Sequence, residues 1–432
     1  MSKKPKKFGF SFVSLYFCKQ MINEATQRFI LQHREEDVRR LAFGSRDVEV
    51  DLPMALQQIA GWQTARKKLP SWAAVDDIVY PPHLNMEQCS SEQTARYKAK
   101  LAIGYWPLSV GPTFVDLTGG FGIDFYFIAK SQKLKANSQN IYVERNSELC
   151  ETARHNFLKL GLEAEVVNVD AEEYLKEMSH ADVVYLDPAR RDEHGGRTYG
   201  IEDCTPNVRT LLPLLLEKSD TIILKLSPML DWQKAVNDLG HVQEVHVVSV
   251  DNECKELLLV VRKQPSKSIT LVCVNNDSEF RIVRSLRTPS SLPTDSESAP
   301  YGLGVCSNRT DQGKYLYEPN ASIMKAGCFR EIEETYGVSQ LSSNSHLFVS
   351  EEEVRDFPGR QFRIETITSL NKQELRNAMK GIDRANISVR NFPLSVEILR
   401  KRLKVKDGGA VFIFGTTLSD SSHKLFICRK IG

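Results

Sequence analysis

The sequence predicts an α/β protein: a mainly parallel sheet, a helical region before it, and small α+β modules after it. Three observations carry that prediction. Residues 113–263 alternate short strand-like runs with helix-patterned segments, as expected when crossover helices cover both faces of parallel strands. The first run, "TFVDL", passes directly into the glycine-rich turn "TGGFG" and an apolar-striped helix. The segment closes on "VQEVHVVSV", the polar turn "DNECKE" and "LLLVVRK", which read as an antiparallel hairpin at the sheet edge.

Taken in order, residues 1–110 read as helical. "NEATQRFILQHREEDVRRLAF", "MALQQIAGWQTARKKL" and "SSEQTARYKAKLAIGYW" carry apolar residues at helical spacing, the last with Ser90 or Ser91 as N-cap. Residues 111–264 hold the sheet, with strands expected at "TFVDL", "NIYVE", "AEVVNV", "ADVVYL" and "TIILKL". Helical patterns such as "SELCETARHNFLKLGL" separate them. From 265 to 344 the composition shifts. "RTPSSLPTDSESAPYGLG" is a loop or linker by its Ser, Pro, Thr and Asp content, within a segment expected to hold a small α+β module. Residues 345–432 form a further module, with "PLSVEILRKRLK" helical and "AVFIFGTT" pairing with "HKLFICRK". A chain of 432 residues is too long for one core, in keeping with several domains.

Composition narrows the function classes. The chain is 41% hydrophobic and 26% charged, and no apolar run approaches the roughly 18 residues of a membrane span. The basic start "MSKKPKKFGFSF" lacks the apolar region and cleavage site of a signal peptide. Nine cysteines are scattered without a CxxC pair, which fits a reducing cytoplasm better than a disulfide framework or a zinc site. The nine histidines show no metal-ligand spacing, so no metal is expected. Net charge is only +2, yet Arg360 to Lys406 carries twelve Lys/Arg against four acids, a local excess of +8. Such a field attracts a polyanion; the alternative is a solvated helix face.

What the glycine turn holds is narrowed by elimination. A dinucleotide fingerprint needs G-x-G-x-x-G, but Gly120-Phe121-Gly122-Ile123-Asp124 is followed by Phe125. A P-loop needs Gly-Lys-Ser/Thr, which is absent here. S-adenosylmethionine (SAM) fits better. Asp116 ends the first strand, and Gly119, Gly120 and Gly122 remove Cβ atoms that would keep the chain from a bulky sulfonium nucleoside. Glu144 ends the next strand, 22 residues after Gly122, where a carboxylate can accept hydrogen bonds from both ribose hydroxyls. Asp170 ends the third strand, placed to reach the adenine edge. Glu144 or Asp170 alone reads more often as a helix cap or a surface acid; the combination, in order along one carboxyl edge and followed by the hairpin, is the signal.

"DLTGGFG", "YVERN", "NVDAEEYL" and "YLDPARR" resemble the successive motifs of the seven-stranded class I (Rossmann-like) SAM-dependent methyltransferase domain. The whole chain is similar to methyltransferases that carry a C-terminal THUMP-like domain. Outside the sheet the matching stretches are "SSEQTARYKA", "YEPNASIMKAG" and "ANISVRNFPLSVEILRKRLKVKDGG". The resemblance implies SAM as cofactor, ferredoxin-like and THUMP-like modules after the sheet, and RNA, rRNA or tRNA, as partner.

The fourth strand ends in Asp187-Pro188-Ala189-Arg190. In amino-group nucleic-acid methyltransferases the matching motif is Asp or Asn, two prolines and an aromatic. There the polar side chain and a proline carbonyl accept from the target NH₂, aligning it for in-line attack. Here Ala189 and Arg190 replace the second proline and the aromatic; Arg190 can stack on a base or hold a phosphate. Asp187, Pro188 and Arg190 are therefore the expected acceptor-side residues, with Tyr185 and Tyr199 as possible stacking faces. Covalent catalysis of the kind used at uridine C5 would need a thiol, for which Cys204 and Cys254 are available. The charged loop 190–204 reads as a solvent loop or a lid, and His194 within it is not assigned a role. Gln93, Thr94 and Tyr97 are candidates to close over the methionine end of the cofactor. Besides an RNA methyltransferase, the sequence allows one acting on a small molecule or protein, or a non-catalytic binding protein.

Overall fold

The computed structural model describes residues 22–43, 48–107, 111–131, 138–190, 201–285 and 313–431, with only the backbone of Arg190 and Asp203. The chain forms two compact units. The first runs through Leu226 and adds Gln233–His241 and Leu259–Pro265; the second comprises Ser227–Trp232, Val242–Leu258 and the chain from Ser266 on.

The first unit begins with helices α1 (Glu24–His33), α2 (Val38–Leu41), α3 (Leu52–Lys68), α4 (Pro70–Ala73), α5 (His83–Gln88) and α6 (Glu92–Ile103). Asp51 and Ser91 cap α3 and α6, accepting from the backbone N–H of Met54 and Thr94. The segment between α4 and α5 is held by two buried amides. Gln58 exchanges hydrogen bonds with the backbone of Tyr80, and Asn156 does the same with Val79, so each side chain replaces a missing strand.

Next come β1 (Thr113–Asp116), α7 (Ile123–Ser131), β2 (Gln139–Glu144), α8 (Ser147–Lys159), β3 (Glu165–Asn168), α9 (Ala171–Glu177) and β4 (Ala181–Leu186). A two-residue ladder joins β5 (Ala189–Arg190) to β6 (Cys204–Thr205), and α10 (Val208–Lys218) leads into β7 (Ser219–Leu226). Strands β1, β2, β3, β4 and β7 pair in parallel, and their helices follow the crossover pattern expected of such a sheet. One apolar core joins the N-terminal helices to the sheet, including Trp72, Tyr80, Phe114, Phe125, Tyr142 and Phe157.

After α11 (Trp232–Leu239) come β8 (Val242–Val250), β9 (Glu253–Arg262), β10 (Ser268–Asn275) and β11 (Ser278–Ser285). The sheet order is β11-β10-β8-β9-β7-β4-β1-β2-β3. The sheet thus has nine strands instead of the seven expected, and the hairpin does not end it. β10 pairs in parallel with β8, and β11 runs antiparallel to β10.

The second unit also contains a seven-stranded sheet of order β13-β14-β12-β15-β18-β17-β16. Its strands are β12 (Tyr315–Pro319), β13 (Ser339–Gln340), β14 (Phe348–Ser350), β15 (Gly359–Ser369), β16 (Asn386–Arg390), β17 (Val411–Thr417) and β18 (His423–Lys430). Its helices are α12 (Ala321–Ala326), α13 (Phe329–Tyr336), α14 (Lys372–Ala378) and α15 (Val396–Leu403). Leu375 of α14 and Leu399 and Leu403 of α15 share one core with Ile413 and Leu425, so both helices lie on the same side of that sheet. The buried Glu318 of β12 takes Arg360 of β15 and Arg390 of β16 onto its two oxygens.

Candidate functional site

The carboxyl edge of the parallel strands gathers the residues that the sequence singled out. Asp116 ends β1, in register with Tyr142 on β2 and Tyr185 on β4. The turn then folds back onto its neighbours. Leu117 N–H donates to Tyr185 O, Gly119 N–H to Val143 O, and Gly122 N–H to Gly119 O. Phe121, at the tip, packs against Trp72 and Tyr80, with ring centroids 5.2 and 6.4 Å apart, so the N-terminal helices fasten the turn from outside.

The three glycines meet different demands. A Cβ on Gly119 would lie 2.2 Å from Tyr142 Cε2, and one on Gly122 would lie 2.8 Å from Phe157 Cζ. Both positions face the protein's own core. A Cβ on Gly120 would make only an ordinary contact, 3.8 Å from Thr118 O, but the φ of +55° is a backbone shape that favours glycine. That shape aims its N–H at Glu144 Oε2, 2.9 Å away, while the Tyr142 hydroxyl donates to its carbonyl. Close packing on Tyr142 and Phe157 is thus a requirement that the motif does not reveal.

Glu144 is held at both oxygens. Gly120 N–H reaches Oε2, and Asn146 N–H donates to Oε1 at 2.8 Å. Asn146 also caps α8, and Asn168 donates to the carbonyls of Glu144 and Arg145, which ties the ends of β2 and β3 together. A carboxylate has about four acceptor sites, so Glu144 keeps capacity for hydroxyl donors. Asp170 is exposed and caps α9 through Glu172 N–H, which leaves its other oxygen uncommitted to the cap.

Asp116 is 1% exposed and receives the Thr118 N–H at 2.9 Å. Burial pushes its carboxyl well above the usual Asp value; the Thr118 N–H opposes this, while Asp124, Asp187 and Glu144 push it higher. Thr118 Oγ1 accepts from Asp187 N–H at 2.6 Å, so the first and fourth strand ends are directly joined. Asp187 is half-buried, and its carboxylate meets Lys225 Nζ on β7. Pro188 is buried beside it. Arg190 pairs through its backbone with Cys204; its side chain lies outside the described residues, as do His194 and Tyr199.

Sequence reasoning missed the charged network beneath the turn. Asp124, at the start of α7, accepts from the hydroxyls of Ser90 and Tyr185, both at 2.8 Å, and lies 3.2 Å from Lys98 Nζ. Lys98 is fully buried. Burial alone would raise the Asp124 carboxyl, but Lys98 and Lys225, with the two hydroxyls, outweigh that and hold it low. Lys98 lies on the buried stripe of α6 with Thr94, Ala95, Ala99 and Ala102. The Thr94 hydroxyl bonds back to Ser91, while Ser90 and Lys98 connect this segment to Asp124 at the edge. Tyr185 is a core residue with an engaged hydroxyl, which removes it as a stacking face. Cys204 is buried, and burial pushes the Cys254 thiol up, away from the thiolate that a nucleophile requires.

Among the described residues no group of three or more His, Cys, Asp and Glu side chains is arranged to hold a metal, and no helix is long and apolar enough to cross a membrane. The edge instead fits a SAM molecule. Glu144 keeps acceptor capacity of the kind a ribose diol uses.

Comparisons agree with this fold. Residues 315–358 match a ferredoxin-like domain model, and residues 359–430 match a THUMP domain-like model. A crystal structure from Porphyromonas gingivalis W83, assigned as a methyltransferase, is 35% identical with a TM-score of 0.78, covering 94% of this chain and 98% of that one. An uncharacterized SAM-dependent methyltransferase of Mycobacterium tuberculosis (strain CDC 1551 / Oshkosh) is 24% identical over 282 residues, which is 64% of this chain and 72% of the relative. The chain therefore belongs to the class I SAM-dependent methyltransferases that carry a C-terminal THUMP-like domain.

Proposed function

We propose that this methyltransferase acts on a base of structured RNA, such as rRNA or tRNA, with the C-terminal modules gripping the RNA backbone. The observation that carries the reading is the outward charge of α14 and α15. Lys372, Arg376 and Lys380 follow one helix, and Lys401, Arg402 and Lys404 the other; all six are exposed on the side that these helices share. Part of the +8 excess is absorbed internally: Arg360 and Arg390 by Glu318, and Arg400 by Asp407 at 2.6 Å. Of the nine cations left, these six suit phosphates, and binding through them falls steeply with salt.

In this reading Asp116, Gly119, Gly120 and Gly122 shape the methionine and ribose pocket, Glu144 holds the ribose and Asp170 the adenine. Asp187 and Pro188 orient the acceptor atom, and Arg190 holds the substrate. The sulfonium arrives already activated, so the chain's task is positioning. The described cysteines are free thiols, which supports a cytoplasmic setting.

The test is incorporation of labelled methyl from SAM into undermodified total RNA and into total protein. Label in RNA that is lost in Asp187→Ala, with SAM affinity nearly unchanged, is the expected result. Label confined to protein overturns the RNA reading and returns the basic helices to a solvated face.

A further inference from the structure

We infer that Lys225 is a positioning residue for methyl transfer: it pins the Asp187 carboxylate and cancels its charge, so that the site favours an uncharged nitrogen over a cationic amine. The inference deepens the RNA reading above and rests on it for the acceptor.

The parallel pairing of β4 with β7 sets Leu186 opposite Leu224, which makes Asp187 and Lys225 the next neighbours along the two strands. Lys225 Nζ donates to Asp187 Oδ2 at 2.5 Å; the lysine side chain is 14% exposed and the aspartate 38%. A lysine so far withdrawn from water is costly unless a carboxylate compensates it. The backbone N–H of Asp187 is tied to Thr118, so the residue is held at the main chain and at one oxygen. The second oxygen, Oδ1, is the one that can receive an acceptor N–H.

Charge follows the same pairing. Two ammonium groups, Lys98 and Lys225, face the two carboxylates Asp124 and Asp187, while burial pushes the Asp116 carboxyl towards its neutral form. An unpaired Asp187 would stabilise a protonated aliphatic amine, whose nitrogen has no lone pair to give. The neutral Asp187–Lys225 pair removes that preference and leaves an oriented acceptor oxygen, which suits a nucleobase nitrogen. In the transfer, the nitrogen lone pair forms the N–C bond as the S–C bond breaks. The sulfur keeps that electron pair and becomes neutral. For an amino acceptor, the surplus proton leaves through Asp187 Oδ1 to water.

The test compares the full-length wild type with Lys225→Met and Lys225→Arg in two assays. Steady-state transfer of labelled methyl to undermodified RNA is expected to show kcat down about 100-fold in Lys225→Met, with KM for SAM within about threefold. Lys225→Arg, which keeps the charge, is expected within about tenfold of wild type. Calorimetric titration with SAM and with its demethylated product needs no acceptor. Removing the ammonium leaves an uncompensated carboxylate, so affinity for cationic SAM relative to the product rises about threefold or more in Lys225→Met and not in Lys225→Arg. Should the wild type label no RNA, the RNA reading fails while this ratio still decides the role of Lys225. An unchanged ratio, an unchanged kcat, or a lowered melting temperature with both ligands weakened alike overturns the inference.

Discussion

Gly119→Ala tests whether the glycine turn is shaped by its ligand or by its own core. An added Cβ would lie 2.2, 2.4 and 2.6 Å from Cε2, Cζ and Cδ2 of Tyr142. Carbon atoms rest comfortably at roughly 3.5–4.0 Å, so turn and ring must separate by about 1.5 Å. The ring cannot swing away cheaply. It is fully buried, makes edge contacts with Phe125 and Phe157 at 5.5 and 5.6 Å, and its hydroxyl donates to Gly120 O. Overpacking of this kind costs about 1–3 kcal/mol, and a rigid aromatic neighbour places this site towards the upper end. For a unit of this size that is a fall of roughly 6–10 °C in melting temperature. Urea denaturation measures the cost, and SAM titration on the same samples measures the pocket. The decisive comparison is with Tyr142→Val. That change is itself destabilising by about 2–4 kcal/mol, but it empties the space beside Gly119. Gly119→Ala in that background is then expected to cost less than about 0.5 kcal/mol. An equal cost in both backgrounds would refute the packing argument. Unchanged stability with lost SAM affinity would show that the glycine guards the ligand.

Two further outcomes follow from buried charge. Because the folded Asp116 carboxyl titrates above its ordinary value of 3.8, the native state keeps a proton that the unfolded chain has released. Its contribution is therefore complete below that value and is lost as pH rises towards the raised one, by up to about 1.4 kcal/mol per pH unit. Asp116→Asn lacks that titration, so its stability relative to wild type should grow as pH rises above the ordinary Asp value of 3.8; parallel pH profiles would exclude the shift. Glu318→Ala strips the shared partner from Arg360 and Arg390, whose side chains are 43% and 40% exposed. Water replaces part of the loss, so about 1–3 kcal/mol is expected in urea denaturation of the second unit. A cost near zero would mean that the triad contributes no net stability.

Much of the fold was readable in the sequence because its signals are local. The runs "TFVDL", "NIYVE" and "ADVVYL" coincide with β1, β2 and β4 to within a residue, and "PLSVEILRKRLK" contains α15. The place of the hairpin was not readable. "SITLVCVN" reads as a strand whatever its partner, and only its parallel pairing with β8 carries the sheet past the hairpin. The same division runs through the site. Asp116, Glu144 and Asp187 stand out because each follows a strand-like run at the edge where ligands gather. Lys225 lies inside the run "TIILKL", where a single lysine carries no signature, and Lys98 looks like any helical lysine until its stripe is seen to face the core.

By itself, then, the sequence determined the alternation of strands and helices, the order of the strand-end acids, the likeness to a SAM-dependent methyltransferase and the basic C-terminal stretch. These depend on residue type, periodicity and spacing along one chain. The tertiary structure alone decided which charges are paired, Asp124 with Lys98 and Asp187 with Lys225, and which cations of the C-terminal stretch stay exposed. It also decided that Gly119 and Gly122 face Tyr142 and Phe157. The physical reason is that burial and pairing join residues far apart in sequence, whose energies depend on distance and water access that no local pattern encodes.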